Sequence, residues 1–95
     1  MPIYLATPLT PTSDGLNKAV EATIAPEDRY PLQNERGWLI KFSGTTIELC
    51  NHIGLTGQAP GESSPVGSAI VVPVHSYYGR GSTDMWEWIA TRMEQ

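Results

Sequence analysis

The sequence predicts an α+β domain of the ferredoxin-like β-α-β-β-α-β type: a four-stranded antiparallel sheet with an added C-terminal helix. Three observations carry this. Hydrophobic patterning places strands and helices in that order. A strand-to-helix unit at 37–55, GWLIKFSGTTIELCNHIGL, has start and stop signals at both ends of its helix. Pro31 and Pro73 fall in the second and fourth strands, which this topology puts at the edges, where a residue without an N–H is tolerated.

Residues 3–7, IYLAT, form the first strand, bounded by Pro2 and Pro8. The strand is almost wholly apolar, as one covered on both faces would be. A Pro/Ser/Asp/Gly loop occupies 10–15. Ser13 or Asp14 can cap a helix that carries Leu16, Ala19, Val20 and Ile24 on one stripe, closed by Pro26. Residues 29–33 form a shorter second strand interrupted by Pro31. Residues 34–37 turn it into the third strand, so the two make a hairpin.

In the third strand, 38–42, Trp38, Ile40 and Phe42 share one face, which should look inward. Leu39 and Lys41 share the other, and Ser43 and Gly44 end the strand. Thr45 and Glu48 then fit a capping box. Ile47, Leu49, Cys50 and Ile53 give the following short helix an apolar side. Gly54 is a left-handed stop, with Leu55 packing back near Cys50 as in a Schellman end.

Residues 55–67, LTGQAPGESSPVG, are long for a loop in a small domain, and 56–67 are expected to be flexible or functional. The fourth strand spans 68–78, SAIVVPVHSYY, and is broken by Gly79, Arg80 and Gly81. Ser82 or Thr83 caps the last helix, with Asp84 placed to favour its dipole. Met85, Trp86, Ile89, Ala90 and Met93 lie on one broad side of that helix. Trp88 falls off the stripe, near Thr91 and Arg92. The helix should pack on a sheet edge or reach a neighbouring molecule.

Ninety-five residues bound the chain to a single α+β domain, 1–95, with a modest core. No apolar run approaches the ~18 residues of a membrane span, and no basic region precedes an apolar stretch at the N-terminus. Neither a membrane segment nor a signal peptide is expected. The single cysteine, Cys50, excludes an internal disulfide and suits a reducing, cytoplasmic setting. Ten acidic residues against 6 basic ones give a net charge of −4, and the basic residues do not cluster. Nucleic-acid binding, which rests on many phosphate contacts, is disfavoured.

Few residues suggest chemistry, and no catalytic set, metal site or cofactor is expected. Cys50 and His52 lie about 200° apart on a helix and point away from each other. Cys50 reads as a small buried hydrophobe. One cysteine with two histidines, His52 and His75, has no paired spacing for zinc. The stretch Tyr77, Tyr78, Gly79, Arg80, Gly81, Ser82 is more suggestive. Gly79, Arg80, Gly81 and Ser82 before a helix can hold an anion, or they are a glycine-rich turn that folds the helix back. Trp88 and Arg92 have the chemistry of binding anchors, or a broad core face covers the tryptophan.

The runs IYLATPL, GLNKAVEATI and GWLIKFSGTTIEL, across residues 3–53, resemble small ferredoxin-like proteins of the Cas2 and VapD kind in their order of elements. The resemblance implies the fold and pairing into dimers. Nuclease members of that group end the first strand with a metal-binding aspartate. Ala6, Thr7 and Pro8 stand there instead, and Asp14 lies further along the loop. Cleavage chemistry is not carried over.

The expected function is non-catalytic: a small acidic protein–protein interaction module, a regulator or phage-borne inhibitor of a bacterial defence system. Its partner is another protein, met through Tyr77, Tyr78, Arg80, Trp88 and Arg92. Two alternatives stay open. One is a nuclease relative using Asp14, or an anion- or nucleotide-binding protein using Gly79, Arg80, Gly81 and Ser82. The other is a structural homo-oligomer, such as a homodimer, joined through a sheet edge or the last helix.

Overall fold

Strand β1 (Ile3–Pro8) is apolar along its length because it has a neighbour on each side and a layer on each face. It pairs antiparallel with β3 (Trp38–Lys41) and with β4 (Ala69–Pro73). β2 (Arg29–Pro31) pairs with β3, giving the order β2-β3-β1-β4. The computed structural model describes residues 2–32, 36–76 and 78–93. Three α-helices complete the α+β architecture: α1 (Asp14–Thr23), α2 (Thr46–His52) and α3 (Thr83–Met93). A 3-10 turn at Pro26–Asp28 leads into β2.

The ladder explains the prolines. Leu9 N–H donates to Ser68 O and Val74 N–H to Ile3 O, both at 2.8 Å. Bonded and non-bonded pairs alternate along an antiparallel ladder. Ile70, Val72 and Val74 therefore turn their backbone groups toward β1, while Ala69, Val71 and Pro73 turn theirs away. Across the sheet, Leu32 N–H donates to Gly37 O at 2.9 Å. The same alternation turns Arg29 and Pro31 away from β3. Both edge prolines sit where a missing N–H costs no ladder bond.

Each face of the sheet is buried. Tyr4, Ala6, Trp38, Ile40 and Val71 face α1 and α2, which bring Leu16, Val20, Leu49 and Ile53. Ile3 and Leu39 face the other way and pack against Trp88 and Ile89 of α3, with Leu5, Tyr30 and Val74 at the margin. The expectation that the last helix packs on an edge or reaches a neighbour is corrected here: α3 lies across the second face. The cause is in β1 and β3. Their apolar residues point both ways, and burying apolar surface is worth roughly 25 cal/mol per Å².

Two strand ends also differ from expectation. β4 stops at Pro73 rather than at 78: Val74 N–H takes the carbonyl of Ile3, the first residue of β1, and the Pro2 carbonyl before it is taken by Phe42 N–H on the side of β3. β2 stops at Pro31; Gln33, Asn34 and Glu35, where the strand end and the turn were expected, lie outside the described residues. At the start of β3, Gly37 has φ +145, and a Cβ there would sit 2.4 Å from Ala6 O. Only glycine fits that approach.

The α2 signals are realised in full. Thr45 Oγ1 accepts from Glu48 N–H at 3.1 Å, and Glu48 Oε1 accepts from Thr45 N–H at 3.0 Å. At the other end Gly54 has φ +85, Leu55 N–H donates to Cys50 O at 2.9 Å and Gly54 N–H to Asn51 O at 3.2 Å. This is the paired bonding of a Schellman end. Ile47 is a correction, being exposed. It lies two residues, about 200°, from Leu49 and cannot share its face.

Helix α1 is finished from outside. The Arg29 guanidinium donates to Glu21 O at 3.1 Å and also to Ile24 O, and His52 Nε2 lies 3.0 Å from Thr23 O. These satisfy carbonyls that a helix end leaves open. Residues 56–67 form no regular element, but Val66 enters the first core. Ser64 Oγ donates to Gly54 O at 2.9 Å. A Cβ at Gly15 would meet Val66 O at 2.7 Å, so α1 lies against this backbone at a glycine.

Candidate functional site

The predicted partner residues separate into two groups. Tyr78 is fully exposed, at 103%. Arg80, Gly81 and Ser82 line a cleft of about 250 Å³ together with Tyr30, Leu32 and Met85. The Arg80 side chain has no hydrogen-bond or ion-pair partner among the described residues. Ser82 caps α3: its Oγ accepts from Met85 N–H at 3.3 Å. The same oxygen lies 3.2 Å from Tyr30 Oη, tying the start of α3 to β2. Gly79 precedes the cleft without lining it, and Tyr77 lies outside the described residues.

Trp88 and Arg92 belong to a different part of α3 and are engaged within the chain. Trp88 is 9% exposed, and its ring lies 6.0 Å from that of Tyr30 at 49°. The Arg92 guanidinium sits 4.5 Å from the Trp88 ring centroid. Arg92 Nε and Nη2 donate to Glu27 O at 3.0 and 2.8 Å. The two residues fasten α3 to β2 and to the 3-10 turn.

The cleft residues that sequence reasoning missed are Tyr30, Leu32 and Met85. Tyr30 and Leu32 alternate along β2 and the residue after it, on the face opposite Arg29. That period-two pattern was available, but it points at the cleft only once α3 is known to cover the same face.

A second, more polar cleft of about 360 Å³ lies where β1 ends and α1 begins. Thr7, Thr10, Thr12, Ser13, Asp14 and Arg36 contribute to its wall. Thr7 Oγ1 donates to Arg36 O at 2.8 Å, and Thr10 Oγ1 to Thr12 O. Asp14 is the sole carboxylate among the described residues of this lining.

Cys50 is partly buried against the first core, and burial pushes its thiol pKa up. A raised pKa lowers the thiolate fraction and with it the reactivity. Among the described residues no three His, Cys, Asp or Glu side chains come together as a metal site. No helix among them is long and apolar enough to cross a membrane. One further surface is chemically distinct: Ile70 and Val72 of β4 are 47% and 38% exposed, with exposed Leu9 just past the end of β1. No family model, curated protein or solved structure matches the chain.

Proposed function

We propose that this chain is a small acidic, non-catalytic protein–protein interaction module, with its contact surface centred on Tyr78 and Arg80. The observation that carries the reading is an exposed tyrosine two residues from an arginine that has no partner among the described residues and lines a cleft with Tyr30, Leu32 and Met85. Tyrosine and arginine are over-represented among the residues that dominate binding energy. Tyr30, Leu32 and Met85 offer a recess for a partner side chain. Trp88 and Arg92 contribute from behind, by holding α3 and therefore the cleft wall in place.

The scaffold reads as the ferredoxin-like type. Taken from the β4 edge, the strand order is β4-β1-β3-β2 with every neighbour antiparallel, which supports that assignment. Such a scaffold licenses no activity by itself, since function belongs to the site and not to the fold. A regulator that acts by occupying a partner's surface needs only what is proposed here: a rigid support and a few projecting anchors.

The experiment is capture of partners from the host lysate by wild type and by the Tyr78→Ala/Arg80→Ala double variant, followed by titration of the captured protein. Both residues are exposed, so the variant should keep the wild-type denaturation midpoint. One dominant partner lost by the variant supports the reading. A partner bound equally by both removes Tyr78 and Arg80 from the surface.

A further inference from the structure

Strand β4 is a short edge strand whose one blunting residue, Pro73, stands at its far end. Natural edges carry charges, bulges or covering segments that stop a foreign strand from pairing. Residues 69–73, AIVVP, carry no charge. Their outward backbone groups are the N–H and C=O of Ala69 and Val71 and the C=O of Pro73, as the ladder with β1 requires. None of these has a hydrogen-bond partner among the described residues. The free groups form a short, regular row of two donors and three acceptors.

The side chains beside this row are apolar. Val72 stands opposite Leu5 and Ile70 opposite Thr7. Residues directly opposite each other share a face, so Ile70 and Val72 lie on the side of the sheet that α3 covers further in. Leu5 and Val74 are reached by that second core, but Ile70 and Val72 remain exposed.

We propose that the β4 edge is a docking site for an extended segment of another protein, added as a fifth strand. The segment has β-branched or other apolar residues at alternate positions and basic residues at its flanks. Strand addition of this kind draws affinity from main-chain hydrogen bonds and specificity from alternate side chains. The alternate residues cover Ile70 and Val72. Pro73, with no N–H to give, marks where the pairing thins out.

Charge and area select this occupant over a second copy of the chain. Each copy carries −4, so two copies repel, whereas basic flanks are attracted. A five-residue edge with two side chains also falls well short of the roughly 800 Å² per partner that a standard stable interface buries. A flexible segment needs no such area to bind reversibly. The proposal rests on the interaction reading above and names the conformation and charge of what is bound, at a separate row of residues.

The test uses the full chain and a short synthetic peptide of alternating valine and threonine with lysine at both ends, followed by amide proton exchange. Protection should rise at Ala69 and Val71, and not at Ile70 or Val72, whose amides already face β1. A glutamate-flanked version of the peptide should bind at least about tenfold more weakly, as should the Ile70→Lys/Val72→Lys variant with the lysine-flanked peptide. Protection at Ala69 and Val71 that grows with protein concentration alone identifies a second copy as the occupant and overturns the proposal. Absence of protection at saturating peptide overturns the site itself. Either failure leaves the Tyr78 and Arg80 test unaffected, so the two readings fall separately.

Discussion

The Arg92 guanidinium lies 4.5 Å from the centre of the Trp88 ring while two of its nitrogens hold the Glu27 carbonyl. One side chain thus joins the last helix to the turn that starts β2, across 65 residues of sequence. Removing it by Arg92→Ala should cost about 1–2 kcal/mol, from a lost cation–π contact and charge-assisted bonds at a half-exposed site. Urea denaturation of wild type and variant measures this. Arg92→Lys should recover only part, because an ammonium cannot both stack and grip one carbonyl through two nitrogens. Full recovery by lysine would mean that the charge alone matters.

Trp88→Ala should cost more, about 3–5 kcal/mol, because it empties the centre of the second core. For a chain of this size that is a large share of a total stability of roughly 5–10 kcal/mol. Loss of partner binding in a Trp88 variant therefore reports unfolding of α3 before it reports a contact. Near- and far-ultraviolet circular dichroism together separate the two, since a variant that keeps near-ultraviolet aromatic signal but loses far-ultraviolet helix signal has released α3 alone.

The Thr45 hydroxyl accepts one N–H of the α2 first turn, and no other described group replaces it. Thr45→Ala should destabilise the protein by about 1 kcal/mol, and Thr45→Ser should restore most of the loss. The same denaturation measurement decides. An alanine variant as stable as wild type would show that water serves that amide equally well.

Glu48 gives the same cap a pH dependence. Its carboxyl is held below the usual carboxylate value, first by the Thr45 backbone N–H and then by the Thr45 side chain. A group with a lower pKa in the folded state binds protons more weakly there than in the unfolded chain. Its stabilisation is complete above the ordinary glutamate pKa and is lost as the pH falls through the depressed one. Denaturation midpoints of wild type and Glu48→Gln, compared from neutral to acid pH, should differ most at neutral pH and converge at the acid end. A difference independent of pH would mean that the charge contributes nothing.

Two glycines with positive φ should respond differently to alanine. Gly37→Ala meets both an unfavourable φ and the Ala6 carbonyl, with no flexible side chain that could give way, and should cost at least about 2 kcal/mol. Gly61 has φ +89 with nothing within 4 Å of its would-be Cβ, so Gly61→Ala should cost only the φ term, about 1 kcal/mol. Equal losses would remove the Ala6 contact from the account of the β1–β3 pair.

Much of this architecture was legible in the sequence, and the α2 unit most of all. Thr45, Glu48, Gly54 and Leu55 act through neighbours within a few residues, and short-range signals survive without knowledge of the tertiary fold. The edge prolines were legible for a related reason: a missing N–H restricts a strand wherever the chain goes. What failed depended on distant partners. Trp88 was placed off the apolar stripe because the stripe was drawn for a single contact direction. Tyr30, 58 positions earlier by its number in the chain, is what closes over the indole. The all-apolar run of Ile3, Tyr4, Leu5 and Ala6 held the clue, because a strand apolar on both sides needs a cover on both sides, and α3 was the one helix left to provide it. The cleft beside Arg80 was invisible for the same reason, since Tyr30 and Leu32 of its wall come from β2 and the residue after it.

Pro31 and Pro73 occupy equivalent outward positions on opposite rims of the sheet, yet the rims are not equivalent. The β2 rim offers a single outward donor among the described residues, on Arg29, whose side chain is folded back onto α1. The β4 rim offers two, on Ala69 and Val71. A protein with two receptive rims can be threaded into an open-ended array, each copy passing the ladder to the next. With one receptive rim, a copy of this sheet that takes a strand at β4 has no second rim to offer, so under the proposed pairing it can end such an array and cannot extend it.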